Sequence, residues 1–250
     1  VVILEVGIGG SWDSTNVADG VVSVVAPVGL DHTDMLGETL AEIATEKAGI
    51  IKPDGYLISA AQDPEVATIL LDTARKQNAK YAFEGVEFGV VERDRAVGGQ
   101  LLTLRGLAGE YPDIELPLHG EHQGQNASLA LAAVEAFFGG DRALARDVVL
   151  AGFAQVRSPG RLEMIRSEPL VVLDAAHNPH GVRAASTAFK EAFELSHVHA
   201  VVGILGEKDA LGIFEVLREE YVDSTDATFR LYLSASDSSR AIAPEELQEI

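Results

Sequence analysis

Polar side chains of types that suit a metal ion follow two apolar segments early in the sequence. Glu5 lies in the apolar segment 1–6, and His32 comes shortly after the apolar segment 21–27. Parallel strands present their carboxyl ends at a common sheet edge, so Glu5 and His32 are expected on the same edge. A carboxylate and an imidazole with open positions suit Mg²⁺ or Mn²⁺ that also holds substrate phosphates. A Glu that accepts backbone hydrogen bonds and a His that bonds within its loop are the alternative interpretations.

Two cationic side chains, Lys47 and Arg161, lie where predicted elements end. Lys47 is near the end of a helix predicted for 39–48, where a lysine ordinarily complements the helix dipole and stays solvated. Arg161 follows Pro159-Gly160 in a break between two predicted domains. A guanidinium on such a hinge suits a clamp on a γ-phosphate that forms when the domains close. A surface ion pair is the alternative for Arg161.

A third group of polar residues lies at predicted helix starts. Asp174 and His177 follow an apolar segment and open the next predicted helix. This combination at a strand edge and a helix N-terminus favours a ligand site over capping. Asn126 precedes an Ala-rich helical segment, where an amide can cap the helix or contact the edge of a nucleobase. The glycine-rich turn at 7–10 matches neither a phosphate-binding loop nor a dinucleotide fingerprint.

The elements that must position these groups divide into two predicted domains, 1–157 and 158–250, with a linker at about 157–167. In the first domain, continuous apolar segments predict buried parallel strands, and capping signals with helical periodicity predict helices. Alternating segments within 81–118, such as 86–91 and 100–104, predict an antiparallel hairpin region. The predicted strands are 1–6, 21–27 and 56–60, and the predicted helices are 39–48, 64–77, 123–138 and 142–156.

The second domain shows a regular alternation of strand and helix patterns. Such a βαβ series predicts a parallel sheet and a small Rossmann-like domain, so the whole chain is predicted to be α/β. The predicted strands are 170–174, 198–205 and 228–234, and the predicted helices are 179–195, 209–222 and one that starts at 244.

Composition limits the classes of partner. The 250 residues carry a formal net charge of −20, because 39 Asp and Glu residues outnumber 19 Lys and Arg residues. Such a surface repels polyanions, so neither nucleic acid nor an anionic membrane is an expected partner. The absence of cysteine excludes disulfides, a zinc knuckle and a thiol nucleophile. No apolar segment reaches membrane-spanning length, and the expectation is a cytoplasmic monomer.

The two ends of the sequence predict a fragment of a longer protein. Val1-Val2-Ile3-Leu4 opens within a buried-strand pattern, with neither Met nor a polar lead-in, although chain termini are usually exposed. The last residues stop within a helix pattern. Earlier strands and the end of the second domain are therefore expected to be absent.

Six segments, in this order, resemble the folylpolyglutamate synthase / dihydrofolate synthase family of the Mur ligase superfamily. Together they cover nearly the whole sequence, and their order makes the resemblance specific. They are Leu4-Glu5-Val6-Gly7-Ile8-Gly9-Gly10-x-x-Asp13-x-Thr15-Asn16, Gly29-Leu30-Asp31-His32-Thr33, Glu46-Lys47-Ala48-Gly49-Ile50-Ile51-Lys52-Pro53, His122-Gln123-x-x-Asn126-Ala127, Pro159-Gly160-Arg161-Leu162-Glu163 and Asp174-Ala175-Ala176-His177-Asn178-Pro179.

The resemblance implies a Mur-ligase-type central ATPase domain, here 1–157, followed by a Rossmann-like domain. It implies ATP-dependent addition of L-glutamate to a folate carboxylate through an acyl phosphate, with ATP, Mg²⁺ and a monovalent cation such as K⁺ as cofactors. Three residues match family positions at the metals: Glu5 and His32 as Mg²⁺ ligands, and Lys47 as a lysine that is carbamylated in some members and helps hold a second metal. Three match nucleotide contacts: Asn126 at the adenine, Arg161 at the ATP phosphates and Asp174 at the ribose. His177 matches a residue near the phosphates and the incoming glutamate.

The sequence also departs from the family pattern. The phosphate loop G-[ST]-N-G-K-[GST] belongs before Val1 and is not in this chain, so the chain alone is expected to be inactive. Ser11-Trp12 stands where many members have Arg-Leu. Another Mur-type ligase, of the muramyl-peptide or cyanophycin type, is the alternative, as is a fragment without catalytic activity. The sequence does not distinguish dihydrofolate synthesis from polyglutamate synthesis.

Overall fold

The computed structural model describes residues 1–30 and 33–250, without the side chains of Thr33 and Asp34. The chain forms two compact units. The first comprises Val1–Asp94, Leu101–Leu116 and Gly124–Gln155, and the second comprises Arg95–Gln100, Pro117–Gln123 and Val156–Ile250. The second unit also includes two short segments from before residue 157, so these units do not coincide with the predicted domains 1–157 and 158–250, which stay a prediction.

A three-stranded parallel sheet forms the centre of the first unit. Its strands lie in the order β1-β2-β3, and helical crossovers connect them, as parallel pairing requires. Leu57, Ile58, Val66 and Leu70 are fully buried between strands and helices. The elements are β1 (Val22–Val25), α1 (Thr33–Leu36), α2 (Leu40–Ala48), β2 (Tyr56–Ser59), α3 (Pro64–Lys76) and β3 (Lys80–Phe83).

Capping residues define where two of these helices begin. At α2, the Glu42 N–H donates to the Thr39 hydroxyl (3.2 Å) and the Thr39 N–H donates to the Glu42 carboxylate (3.1 Å). At α3, Asp63 accepts the N–H of Glu65, and Pro64 occupies the first helical position. Each cap satisfies main-chain donors that have no partner within the helix. The helices predicted at 39–48 and 64–77 are therefore confirmed.

The predicted strand at 1–6 is wrong in this structure. These residues belong to none of the strands described, and Val1 and Ile3 are 95% and 91% exposed. An apolar segment becomes a strand only where a neighbouring strand takes its hydrogen bonds and another layer covers its side chains. In the order β1-β2-β3, β1 pairs with β2 alone, and residues 1–6 do not fill its other edge.

The region after β3 contains the predicted hairpins. Its three strands form one sheet in the order β4-β5-β6, and only Val97-Gly98 separates β4 from β5. A two-residue connection joins antiparallel strands, and Gly98 has the positive φ (+80°) that such turns require. The elements are β4 (Gly89–Ala96), β5 (Gly99–Arg105), β6 (Glu110–Leu116), α4 (Glu121–Phe137) and α5 (Arg146–Ala154).

The second unit contains a parallel pair of strands and a separate antiparallel hairpin. The parallel pair, β9 and β10, packs on α6 and α7 through apolar side chains that include Val182, Ile213 and Leu217. The elements are β7 (Glu163–Ser167), β8 (Leu170–Leu173), α6 (Pro179–Ala192), β9 (His197–Val202), α7 (Ala210–Arg218), a π-helical turn (Glu219–Asp223), β10 (Thr228–Leu233) and α8 (Pro244–Leu247). None of the helices described in either unit is long and apolar enough to cross a membrane.

The hairpin corrects the predicted role of strand 170–174. We expected it to open the parallel sheet, but β8 pairs antiparallel with β7, which lies in the segment predicted as linker. Only Glu168-Pro169 separates the two strands, and such a short connection returns the chain in the opposite direction. The side chains of β7 are mostly exposed, so the strand has no apolar periodicity that would reveal it.

Two earlier segments also pack within the second unit. The Arg95 guanidinium donates to the main-chain oxygen of Glu191 (2.8 Å), next to the end of α6. The ring of His119 lies 5.4 Å from that of Phe193, and burial lowers the pKa of His119. These contacts attach the β4–β5 turn and the segment before α4 to α6.

Candidate functional site

The glycine-rich loop after Glu5 is organised by Asp13. Its carboxylate accepts hydrogen bonds from the N–H groups of Gly7 and Ile8 (both 3.1 Å) and from the N–H and hydroxyl of Thr15 (2.8 and 2.6 Å). Chiefly because of the Thr15 hydroxyl, the pKa of Asp13 falls to about 2. An ionised aspartate therefore shapes this loop and caps the short 3₁₀ helix Ser14–Val17.

This loop lies against the last turn of α2. Both the N–H and the hydroxyl of Ser11 donate to the Glu46 main-chain oxygen (3.0 Å each), and the Trp12 N–H donates to the Glu46 carboxylate (3.2 Å). A Cβ at Gly10 would lie 2.5 Å from the same Glu46 oxygen, so only glycine allows this approach. The structure thus brings together two motifs that are 35 residues apart in the sequence.

Asn16 and Lys52 complete the connection. The Asn16 side-chain amide donates to the main-chain oxygens of Ser11 (2.9 Å) and Gly49 (3.2 Å). The Lys52 ammonium donates to the main-chain oxygen of Asn16 (2.7 Å). The segment from the end of α2 to Lys52 is therefore linked to the loop at several points.

The predicted metal ligands are only partly described. Glu5 is exposed and precedes the loop, Lys47 is half-buried in the last turn of α2, and His32 lies outside the described residues. The approach of Glu5 to His32 therefore stays a prediction, although the strand from which we argued it is not formed. Within residues 1–30 and 33–250 no three His, Asp or Glu side chains gather as a metal cluster.

In the second unit, Asp174 joins two of the predicted motifs. Its carboxylate accepts the N–H of Leu162 (2.9 Å) and the N–H of Ala176 (2.8 Å). The Ala175 N–H donates to the Gly160 oxygen (2.8 Å) beside it. The turn that carries Arg161 is therefore held against the segment that follows β8. A carboxylate has about four acceptor sites, so Asp174 can still accept further hydrogen bonds.

His177 has a defined orientation at the same place. Its Nδ1 lies 3.1 Å from the Ala175 main-chain oxygen, and because a carbonyl only accepts, Nδ1 carries the hydrogen. In the neutral imidazole, Nε2 is then left as an acceptor on an exposed ring. The next residue, Asn178, caps α6 by accepting the Gly181 N–H (2.7 Å). The imidazole is thus anchored on one side and open on the other.

A cavity of about 320 Å³ lies beside these groups in the second unit. Asp174, His177 and Lys208 line it, together with apolar side chains of α6, β9 and α7. It reaches the carboxyl end of β9 in the parallel pair, which is where open α/β folds bind ligands. This cavity is large enough for a small metabolite.

The two remaining predicted residues are exposed. Arg161 lies in a turn in which its own main-chain N–H donates to the Ser158 main-chain oxygen (3.2 Å). Asn126 lies five residues after the first residue of α4, so it is not the N-cap of that helix. The capping interpretation is therefore wrong for Asn126, and its contact with adenine stays a prediction.

Family models match both parts of the sequence. Residues 1–134 match the Mur ligase middle domain, and residues 160–250 match the model described as Mur ligase, glutamate ligase domain. The first match alone covers more than half of the 250 residues. The chain belongs to the Mur ligase family. The predicted α/β fold of the Mur ligase type, with parallel and antiparallel sheets, is confirmed.

Several proteins similar to this Mur ligase chain are named as folylpolyglutamate or dihydrofolate synthases. The dihydrofolate synthase/folylpolyglutamate synthase of Mycobacterium tuberculosis is 49% identical over 236 residues, which are 91% of this chain and 48% of the relative. The solved structure of Mycobacterium tuberculosis folylpolyglutamate synthase complexed with ADP has a TM-score of 0.88 at 46% identity and covers 97% of this chain and 53% of that one. An FPGS–AMPPCP–folate complex has a TM-score of 0.76 at 29% identity, covering 93% and 63%. The chain spans about half the length of the curated relatives it matches.

Three residues of the two candidate sites were not predicted as site residues. Asn16 and Lys52 lie inside motifs that we quoted, but spacing does not reveal which main-chain oxygens they contact. Lys208 lies between β9 and α7, six residues after the end of β9, so nearness to a strand end does not single it out.

Proposed function

We propose that the protein carrying this chain is an ATP-dependent ligase that adds L-glutamate to a folate through an acyl phosphate. The observation that carries the proposal is the 49% identity over 91% of the chain to a dihydrofolate synthase/folylpolyglutamate synthase. Family models that cover both units of one chain support the same class of reaction. We further propose that the enzyme acts in the cytoplasm as a monomer.

The proposed reaction has two steps. An oxygen of the folate carboxylate attacks the γ-phosphorus of ATP, which releases ADP and leaves an acyl phosphate. The amine of glutamate then attacks the acyl carbon, loses a proton and expels inorganic phosphate. Both steps depend on positioning and charge neutralisation. Arg161 and Asn126 are proposed to contact the nucleotide phosphates and adenine, and Asp174 the ribose.

His177 is the residue of the second unit whose geometry suits the second step. Because Nδ1 donates to the Ala175 oxygen, Nε2 presents a lone pair. That atom is proposed to accept a hydrogen bond from the incoming amine and to orient it toward the acyl carbon. The cavity next to His177 supplies room for the amino acid, and Lys208 in its wall supplies a positive charge for a carboxylate.

The residues of the first unit are compatible with Mg²⁺. This cation is usually held by one or two carboxylates together with waters and substrate phosphates, so a three-residue cluster is not required. The Glu5 carboxylate is exposed, and we found no hydrogen bond or ion pair for it within the described chain. Glu5 and His32 are proposed to hold Mg²⁺, and a carbamylated Lys47 a second metal. The cation would neutralise phosphate charge, and K⁺ is proposed as an additional monovalent cofactor.

The test is an assay of ADP release by the full-length protein, with dihydropteroate, a tetrahydrofolate or a muramyl peptide as the carboxylate substrate. The expected result is release that requires ATP, Mg²⁺, L-glutamate and one of the two pterin compounds. The pterin compound that is accepted decides between dihydrofolate synthesis and polyglutamate synthesis. Release that needs the muramyl peptide instead would overturn the proposal in favour of another Mur-type ligase. This chain alone is expected to release no ADP.

A further inference from the structure

Besides the Ser11 and Trp12 contacts with Glu46, one side-chain amide joins the loop that follows Glu5 to the segment just after α2. We propose that Asn16, held by Lys52, is a positioning residue for the metal site, which fixes the loop against the turn that carries Lys47. This inference rests on the proposed function, because the importance of the link comes from the metal ligands on either side of it. The physical link itself is independent of that function.

The amide of Asn16 is suited to this role because it offers two hydrogens from one nitrogen. One goes to the Ser11 oxygen in its own loop, and the other to the Gly49 oxygen just after α2. The Asn16 Oδ1 atom is shielded and accepts no hydrogen bond from the described residues. A flipped amide would turn that oxygen toward two carbonyl oxygens, so the two acceptors determine the orientation.

Lys52 holds Asn16 through its main-chain oxygen. Its ammonium lies 2.7 Å from the Asn16 main-chain oxygen, and the side chain is half-buried. A hydrogen bond from a charged donor is shorter and stronger than a neutral one. Because Lys52 lies three residues after Gly49, this contact and the amide contact fix the same short segment of chain to the loop.

The link lies between residues predicted to do the chemistry. On the loop side, Asp13 holds the N–H groups of Gly7 and Ile8, which closely follow Glu5. On the helix side, Lys47 lies in the turn whose Glu46 oxygen accepts two hydrogen bonds from Ser11. Supporting contacts of this kind orient metal ligands, and their loss typically costs about 10- to 100-fold in metal affinity or activity.

The only tryptophan of the chain, Trp12, reports on this link directly. Its main-chain N–H donates to the Glu46 carboxylate, so release of the loop should change the surroundings of the half-exposed indole and therefore its fluorescence. Asn16→Asp is nearly isosteric but replaces the amide nitrogen, which donates both hydrogen bonds, by a carboxylate oxygen that faces two carbonyl oxygens. We expect a change in Trp12 emission and stronger quenching by acrylamide. The matched control is Asn78→Asp, because Asn78 in the same unit donates to Asp54 (2.6 Å) at an exposed turn; it should leave Trp12 unchanged.

The functional half of the test measures the metal requirement of the full-length protein. Asn16→Asp and Lys52→Met are expected to raise the Mg²⁺ concentration for half-maximal activity by about 10- to 100-fold. Lys52→Arg keeps a charged donor and should stay near the wild-type value. Mn²⁺ binding, followed by electron paramagnetic resonance, gives the same comparison without turnover. Should Asn16→Asp not fold, the Lys52→Met and Lys52→Arg pair still decides the question.

The outcomes separate the inference from the proposed function. An unchanged Trp12 signal in Asn16→Asp and Lys52→Met overturns the link. A changed signal with unchanged Mg²⁺ requirement and Mn²⁺ affinity overturns the positioning role. If the wild-type protein has no ligase activity, the proposed function fails, and equal Mn²⁺ affinity in wild type and variants would overturn the inference separately.

Discussion

Asp13 in the first unit and Asp174 in the second both bind main-chain N–H groups, but their partners lie at different separations along the sequence. Each carboxylate accepts main-chain N–H groups and holds a glycine-containing turn in place. The partners of Asp13 all lie within six residues of it, whereas Asp174 reaches Leu162, twelve residues away in another motif. A local aspartate shapes one loop, while one with a distant partner makes two motifs depend on each other. Loss of Asp174 should therefore affect more of the site.

The largest expected effect follows from Asp174→Ala. The substitution removes both main-chain hydrogen bonds and the proposed ribose contact, so the turn of Arg161 loses its support. We expect ligase activity of the full-length protein to fall by about 100-fold or more, on the order of the loss of two charged hydrogen bonds. Asp63→Ala is the control, since Asp63 only caps α3; it should cost about 1 kcal/mol of stability and leave kcat unchanged. Similar activity losses in both variants would contradict the comparison.

A smaller effect is expected from Gly10→Ala. The new methyl group would meet the Glu46 main-chain oxygen at 2.5 Å, and neither backbone segment can yield easily. We expect a loss of about 1–3 kcal/mol in the free energy of unfolding, measured by urea denaturation. A variant as stable as the wild type would show that the loop does not pack this closely on α2.

The control for that variant should change stability in the opposite direction. Gly152 lies in α5, is exposed, and has open space where a Cβ would be. Gly152→Ala is expected to stabilise the protein by about 1 kcal/mol, because alanine is the better helix former. The same denaturation experiment measures both variants. If Gly152→Ala destabilised as much as Gly10→Ala, a general intolerance of glycine substitution would explain both.

The smallest expected effect is a change in Trp12 fluorescence at acidic pH. The folded-state pKa of Asp13 is lowered to about 2, from an ordinary value of 3.8. A lowered pKa means that the contribution of Asp13 is complete above about pH 4 and is lost as the pH falls toward 2. Trp12 fluorescence should therefore show a transition in that range that is absent from Asp13→Asn. A transition of equal size in the variant would assign it to other carboxylates.

The sequence predicted what depends on local chemistry. Thr39 with Glu42 marks one helix start and Pro64 another, because these signals act within the first turn of each helix. Residues 1–6 were predicted wrongly because burial of a strand depends on a neighbouring strand, which no local pattern reveals. In β7 the opposite occurred, since a hairpin connection imposed a strand on mostly exposed residues.

The candidate site shows the same division. Asp174, His177 and Arg161 were predicted as site residues because their motifs lie at predicted strand ends and turns, and their roles stay a prediction. The contacts of Asn16 with Gly49 and of Asp174 with Leu162 were not predictable, since they depend on how distant segments meet. The residue types were visible in the sequence, but their partners were not.

The composition of the second unit affects where the chain can be divided without loss of stability. It is assembled from three separate stretches of chain, and Arg95 and His119 belong to the two short ones. A polypeptide cut before residue 158 would lose the Arg95 hydrogen bond to Glu191 and the ring contact of His119 with Phe193. The isolated second half should therefore be less resistant to protease than the same residues in the intact chain, because α6 would be left uncovered where these segments pack.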